Sequence, residues 1–171
     1  LSRFQRLGRE CGVSTFDQLA AGSFTSAVIL DYSNGAGGAI DLLSELADLA
    51  RREGLWFHVD AAWGGSALVS PTLGGHLAGI EQADSVTWDA HKWLSVPMAA
   101  GMFFCKHAEP LRAMFDIETG YVPAATGDQE ELYRTSIQWS RRHIGLKVFF
   151  TLAALGADGL RRTIEHQAAM G

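Results

Sequence analysis

At 171 residues the chain is long enough for one domain with a sizeable core. Apolar residues make up 47% and charged residues 19%, too apolar for disorder, and the net charge of −5 with arginines in isolated pairs argues against a nucleic-acid footprint. No apolar run approaches the about 20 residues that span a bilayer, so no membrane partner is expected, and the two cysteines, Cys11 and Cys105, are too few for a disulfide framework, which points to a soluble cytoplasmic protein.

Residues 1–20 place Leu1, Phe4, Leu7 and Cys11 at helical spacing, and a helix is expected there. Ala27–Leu30 predicts a buried strand, followed by Asp31-Tyr32-Ser33-Asn34 and a glycine-rich turn from Gly35 to Gly38. Asp41 is placed to cap a helix whose apolar stripe is Leu43, Leu46, Ala47 and Ala50. Arg51, Arg52 and Gly54 are the residues a helix C-terminus favours. The run Leu55–Val59 follows as a strand, which completes a right-handed βαβ unit. Ala61–Ala83 is irregular, with a short helix near residues 76–82. Ser85–Trp88 and Gly101–Cys105 read as further strands, and residues 107–115 as a helix. Residues 116–136, punctuated by Gly120, Pro123 and Gly127, read as a long surface loop of the kind that often serves as a lid. Ile144–Leu155 is apolar nearly all round, so a buried helix is expected. Gly156 ends it, and Asp158 caps a last amphipathic helix through Leu160 and Ile164. Neither end reads as a natural terminus: there is no initiator Met, and helical spacing continues to Gly171.

Two of the strands stop at polar residues. Leu55–Val59 halts at Asp60, and Ser85–Trp88 halts at Asp89-Ala90-His91-Lys92. Alone, an acid at a strand end usually caps a turn or faces water, and a lysine on a loop is usually solvated. Together they lie beyond the carboxyl ends of two strands, where ligands bind in open α/β sheets. A dinucleotide fingerprint is imitated by Gly35, Gly37 and Gly38, but its third glycine would fall at Ile40. The six histidines show no zinc-like pairing, so no metal is expected. Cys105 reads as core, and Trp63 and Trp93 as candidate walls of the crevice.

The stretches HVDAAWGG at 58–65, ADSVTWDAHKW at 83–93 and SRRHIGLK at 140–147 resemble the group II pyridoxal-phosphate-dependent amino acid decarboxylases, the aromatic-amino-acid and glutamate decarboxylase group. The similarity covers about residues 36–168. It implies an α/β fold with a mostly parallel sheet, part of the large domain of a fold-type I (aspartate-aminotransferase-like) enzyme. All of residues 1–171 would be a partial cofactor domain, with residues 1–35 divergent and with an N-terminal segment and a C-terminal domain outside it. The resemblance makes Lys92 the amine that bonds to the cofactor aldehyde. It sets Asp60 against the pyridine nitrogen, Ala62 flat against the ring and His91 near the phosphate or substrate. A lysine in that role is expected in a desolvated pocket.

Tyr121 corresponds to the family's mobile-loop tyrosine, which protonates the substrate carbon in the neighbouring subunit's site; phenylalanine there goes with aldehyde formation. A homodimer is therefore implied, with an L-amino acid as substrate and its amine as product. Two positions depart from the family pattern. Gly35 stands where a cofactor-binding threonine is usual. Asp89 replaces an asparagine that contacts the phosphate, and is expected to turn toward a backbone N–H or His91, or to stay protonated. Other readings are an inactive fragment or paralogue, an aldehyde synthase, an aminotransferase or another pyridoxal-phosphate lyase.

Overall fold

The computed structural model describes residues 42–115 and 132–170, together with the backbone of residues 27–31. The expected helix in residues 1–20, the turn carrying Gly35, Asp41 and Tyr121 lie outside these residues.

Four strands form one sheet in the order β1 (Ala27–Asp31), β2 (Trp56–Asp60), β3 (Ser85–Asp89) and β4 (Gly101–Cys105). β1 and β2 are parallel in the register Asp31↔Asp60, and β2 and β3 are parallel in the register Asp60↔Thr87. β4 runs antiparallel to β3, with Gly101 opposite Asp89. The α/β class and the mostly parallel sheet are as expected from the sequence.

The crossover helix α1 (Leu43–Glu53) joins β1 to β2. Its N-cap is Leu42, with no side-chain capping bond. Glu45 in the first turn and Arg51 and Arg52 in the last complement the helix dipole. Gly54 then takes the left-handed conformation, φ 63°, and its N–H turns back to the carbonyls of Ala50 and Arg51. The predicted stripe of Leu43, Leu46, Ala47 and Ala50 is buried against Phe57 and Val59. Period 3.6 on the helix and period 2 on the strand meet there as one core. Leu46→Ala in it would cost about 2–5 kcal/mol.

Residues between β2 and β3 form three short 3-10 segments, Gly64–Val69, Gly74–Leu77 and Ile80–Gln82, in place of the one short helix expected. Gly79, at φ 104°, allows this connection to press on the start of α1, where a Cβ would lie 2.5 Å from the Ser44 backbone nitrogen. Asp84 fastens the lower end of the sheet: Oδ2 accepts from Phe57 N–H at 2.8 Å, and Oδ1 lies 2.9 Å from His107 Nε2.

After β4 come α2 (Ala108–Phe115) and α3 (Ile144–Ala168). The break expected at Gly156 is present, since that residue has φ 63° and ψ 175° inside α3. Beyond it Leu160 and Ile164 are buried. Glu165 Oε1 accepts from Ser70 Oγ at 2.7 Å, which ties α3 to the first 3-10 segment. The first half of α3 departs from expectation. It was predicted to be buried, yet Phe149 and Phe150 are 62% and 59% exposed. Apolarity all round signals that a helix is to be covered; among the described residues nothing covers this face. Among them, too, no helix is long and apolar enough to cross a membrane.

Candidate active site

The sheet has two chemically different faces. Phe57, Val59, Val86 and Trp88 project toward the cores beneath α1 and α3. By alternation and register, Trp56, His58 and Asp60 on β2 share the other face with Ser85, Thr87 and Asp89 on β3. Ser85 Oγ accepts from Trp56 Nε1–H at 2.9 Å and lies 2.8 Å from His58 Nδ1. Thr87 Oγ1 lies 3.4 Å from His58 Nε2. Burial pushes the His58 imidazole below its ordinary pKa, with the Asp60 carboxylate and a bond to Ser85 pulling the other way. A line of polar groups thus leads along the sheet to Asp60.

Asp60 ends β2 with one carboxylate oxygen engaged, as Oδ1 accepts the Ala62 N–H at 3.0 Å. Oδ2 has no hydrogen-bond partner among the described residues. The turn that follows is joined directly to the end of β3. Ala61 N–H donates to Thr87 O at 2.9 Å, and Asp89 N–H donates to Ala62 O at 3.1 Å. The rings of Trp63 and Trp93 meet edge to face at 5.5 Å. Asp60 and Ala62 on one turn and Asp89, His91 and Lys92 on the next are therefore neighbours, as two parallel strands ending side by side require.

Close packing holds this junction. A Cβ on Gly65 would lie 2.9 Å from the Trp88 ring, so only glycine admits the indole there. Trp88 Nε1–H donates at 3.0 Å to Ser66 Oγ, whose residue is wholly buried. Trp88 immediately precedes Asp89, so the ring sets the distance between the two turns.

The Lys92 side chain is 39% exposed among the described residues, and its Nζ pairs with Asp89 Oδ2 at 2.9 Å, one turn back. Asp89 differs from expectation: its carboxylate pairs with Lys92, and among the described residues neither a backbone N–H nor His91 is its partner. Gly101, opposite in β4, leaves room for it, since a Cβ there would come within 3.1 Å of Asp89 Oδ1. His91 is half-buried, and its Nδ1 accepts the Ala100 N–H at 3.1 Å. A neutral His91 must therefore carry its hydrogen on Nε2, which makes that nitrogen a donor toward an anion.

The donor set suits pyridoxal phosphate: an open carboxylate oxygen for a ring N–H, a methyl-sized residue beside it, an accessible amine and an imidazole N–H. Residues 23–171 match the family described as the pyridoxal-dependent decarboxylase conserved domain. The chain belongs to this family. It is 61% identical over 129 residues to aspartate 1-decarboxylase of Aliivibrio fischeri, covering 75% of this chain and 23% of that enzyme. With histidine decarboxylase of Rattus norvegicus it shares 37% over 133 residues, 77% of this chain and 20% of that one. Among solved structures, Oryza sativa TDC with PLP and tryptamine superposes with a TM-score of 0.76 at 27% identity, over 80% of this chain and 29% of that one. Mouse CSAD gives 0.73 at 32%, over 84% and 30%. The chain thus spans about a quarter of the length of the relatives it matches. Family membership settles the fold type as that of the fold-type I decarboxylases, and the cofactor as pyridoxal 5′-phosphate.

Three features escaped the sequence reading: the polar line through His58, the Gly65–Trp88 contact and the partners of Lys147. The first follows from strand register, which two separate runs do not reveal. The second had a faint signal in the paired glycines after Trp63. Among the described residues no group of three or more His, Cys, Asp or Glu could hold a metal ion.

Proposed function

We propose that the whole protein is a carboxy-lyase that uses pyridoxal phosphate to convert an L-amino acid to its amine. The observation that carries this reading is the direct union of the Asp60–Ala62 turn with the end of β3 from which Lys92 projects. When bound, the cofactor supplies a protonated ring that draws in the electron pair left as CO₂ departs. In this reading Asp60 would hold the ring nitrogen and keep it protonated, and Ala62 would leave room for the ring. Lys92 would hold the cofactor through its amine and would leave that place to the substrate amine. Asp89 receives the Lys92 side chain whenever it is released, and so keeps it at the crevice. His91 Nε2–H donates to the phosphate or to the substrate carboxylate. Trp63 and Trp93 wall the crevice and exclude water. By the family's pattern Tyr121 would return a proton to the substrate carbon, and Gly35 stands where the family's cofactor-binding threonine is usual.

In the family's pattern the loop tyrosine acts in the neighbouring subunit's site, so the reading includes a homodimer. Cys105 is a free thiol, in keeping with a reducing cytoplasm. The favoured substrate is L-aspartate. Identity to the Aliivibrio aspartate enzyme is 61%, against 37% to the rat histidine enzyme, and this difference supports an acidic side chain.

The test is borohydride reduction of the full-length holoenzyme followed by peptide mapping. A pyridoxyl group is expected on Lys92, and its appearance on any other lysine would overturn the assignment. Release of CO₂ from aspartate, glutamate, cysteine sulfinate, histidine and tryptophan then ranks the substrates, with aspartate expected first.

A further inference from the structure

Lys147 lies in the first turn of α3. Its Nζ is 3.0 Å from the carbonyl oxygen of Pro97, 2.8 Å from that of Met98 and 3.0 Å from that of Ala99. An ammonium has three N–H donors and no acceptor, so three carbonyls use its full capacity. Consecutive carbonyls aimed at one point gather partial negative charge, as they do where carbonyl groups hold a metal cation.

The clamped segment is the far wall of the loop that starts at Lys92. Ser95 N–H donates to Lys92 O at 3.0 Å, and Val96 N–H donates to Ala90 O at 3.0 Å. Ala100, immediately after the clamped carbonyls, is tied twice to the same turn. Its N–H donates to His91 Nδ1 at 3.1 Å, and its carbonyl accepts from Ala90 N–H at 2.8 Å. Leu94, Val96 and Ala100 are buried beneath, against Ile144, Val148 and Leu160 of α3. The helix and the His91–Lys92 turn thus grip opposite sides of one short loop.

We propose that Lys147 is a positioning residue for His91 and Lys92. Its ammonium fastens the carbonyls of residues 97–99 and so holds Ala100 where it fixes the His91 tautomer and the turn bearing Lys92. Without that charge the three carbonyls repel, the loop relaxes and Ala100 N–H leaves His91. The proposal rests on the reading of Lys92 as the cofactor-binding amine.

Lys147→Met in the full-length protein keeps the length and packing of the stem and removes the donors. Two readouts separate the clamp from the function. In cofactor-free protein, amide exchange over residues 93–100 should accelerate about tenfold, while peptides from β2 and α1 stay unchanged. Pyridoxal phosphate, followed by absorbance, should bind about tenfold more weakly, which corresponds to about 1.4 kcal/mol. Lys147→Arg should recover part of both. In Lys147→Ala, ammonium or methylammonium chloride should slow exchange and tighten binding, whereas tetramethylammonium, which has no N–H, should do neither.

Unchanged exchange in Lys147→Met overturns the clamp. Faster exchange with unaltered cofactor affinity overturns the positioning role. Equal responses to ammonium and tetramethylammonium overturn the donor argument, and this arm stands even if the Met variant does not fold. Failure of the wild type to bind cofactor at Lys92 would refute the functional reading, and the exchange experiment would still report on the clamp.

Discussion

Gly65→Ala tests whether the contact between the turns that carry Asp60 and Lys92 sets their spacing. The new methyl would sit 2.9 Å from Cγ and Cδ1 of Trp88, against an ordinary contact of 3.4 Å or more, so the ring or the 3-10 segment must shift by about 0.5 Å. The ring cannot swing freely, because Nε1–H is bonded to the buried Ser66 Oγ. Overpacking a site of this kind costs about 1–3 kcal/mol. Loss of the Trp88–Ser66 hydrogen bond adds about 1 kcal/mol. A total of about 2–4 kcal/mol is expected from chemical denaturation of the full-length protein. Gly75→Ala is the matched control, since its added Cβ meets nothing within 4 Å. That control should be neutral, or stabilising by up to about 1 kcal/mol. Trp88→Leu in the Gly65→Ala background should recover part of the loss, and a double-mutant cycle isolates the coupling. Because Trp88 adjoins Asp89, cofactor affinity should fall along with stability. If Gly65→Ala proves as stable as Gly75→Ala, and binds cofactor as well as wild type, the spacing argument is wrong.

Two further predictions concern the polar face of the sheet. Burial holds His58 below its ordinary pKa of 6.5, so the folded protein binds that proton more weakly than the unfolded chain. Its stabilising contribution is complete above 6.5 and is lost as the pH falls through the lower folded value. Denaturation midpoints should therefore drop on acidification below 6.5 in the wild type, and less steeply in His58→Gln; equal slopes in the two proteins would sink this account. If Asp60 holds the ring nitrogen as proposed, Asp60→Asn removes the charge of that pair, and breaking a buried pair costs about 3–5 kcal/mol. Turnover should fall by roughly 10²–10⁴ while borohydride still marks Lys92. Near-normal turnover would contradict the role assigned to the carboxylate.

Much of the architecture was legible because it rests on local periodicity. The stripe on α1, the left-handed Gly54 and the break at Gly156 are each dictated by residues within a turn or two. Strand ends were legible to within a residue, because an apolar run that meets Asp60 or Asp89 has reached water. The site was half legible. The family motifs pointed to Asp60, His91 and Lys92, but the partner of Asp89 differs from the one expected, since its carboxylate pairs with Lys92. That pairing depends on how the turn packs, and no motif contains that. The exposed Phe149 and Phe150 have the same origin. Composition states that a face needs covering, and only packing states by what.

By itself the sequence determined the alternation of strand and helix, the points where strands stop and the chemical groups at those points. These are properties of short segments, set by side-chain period, capping and backbone freedom. The tertiary structure alone decided that Asp89 takes the Lys92 amine, that His91 Nδ1 accepts the Ala100 N–H and that Lys147 closes on three carbonyls. Each of these depends on where one segment's donors fall against another's acceptors. Strand register and helix docking set those relations, and neither is written in any single stretch of the chain.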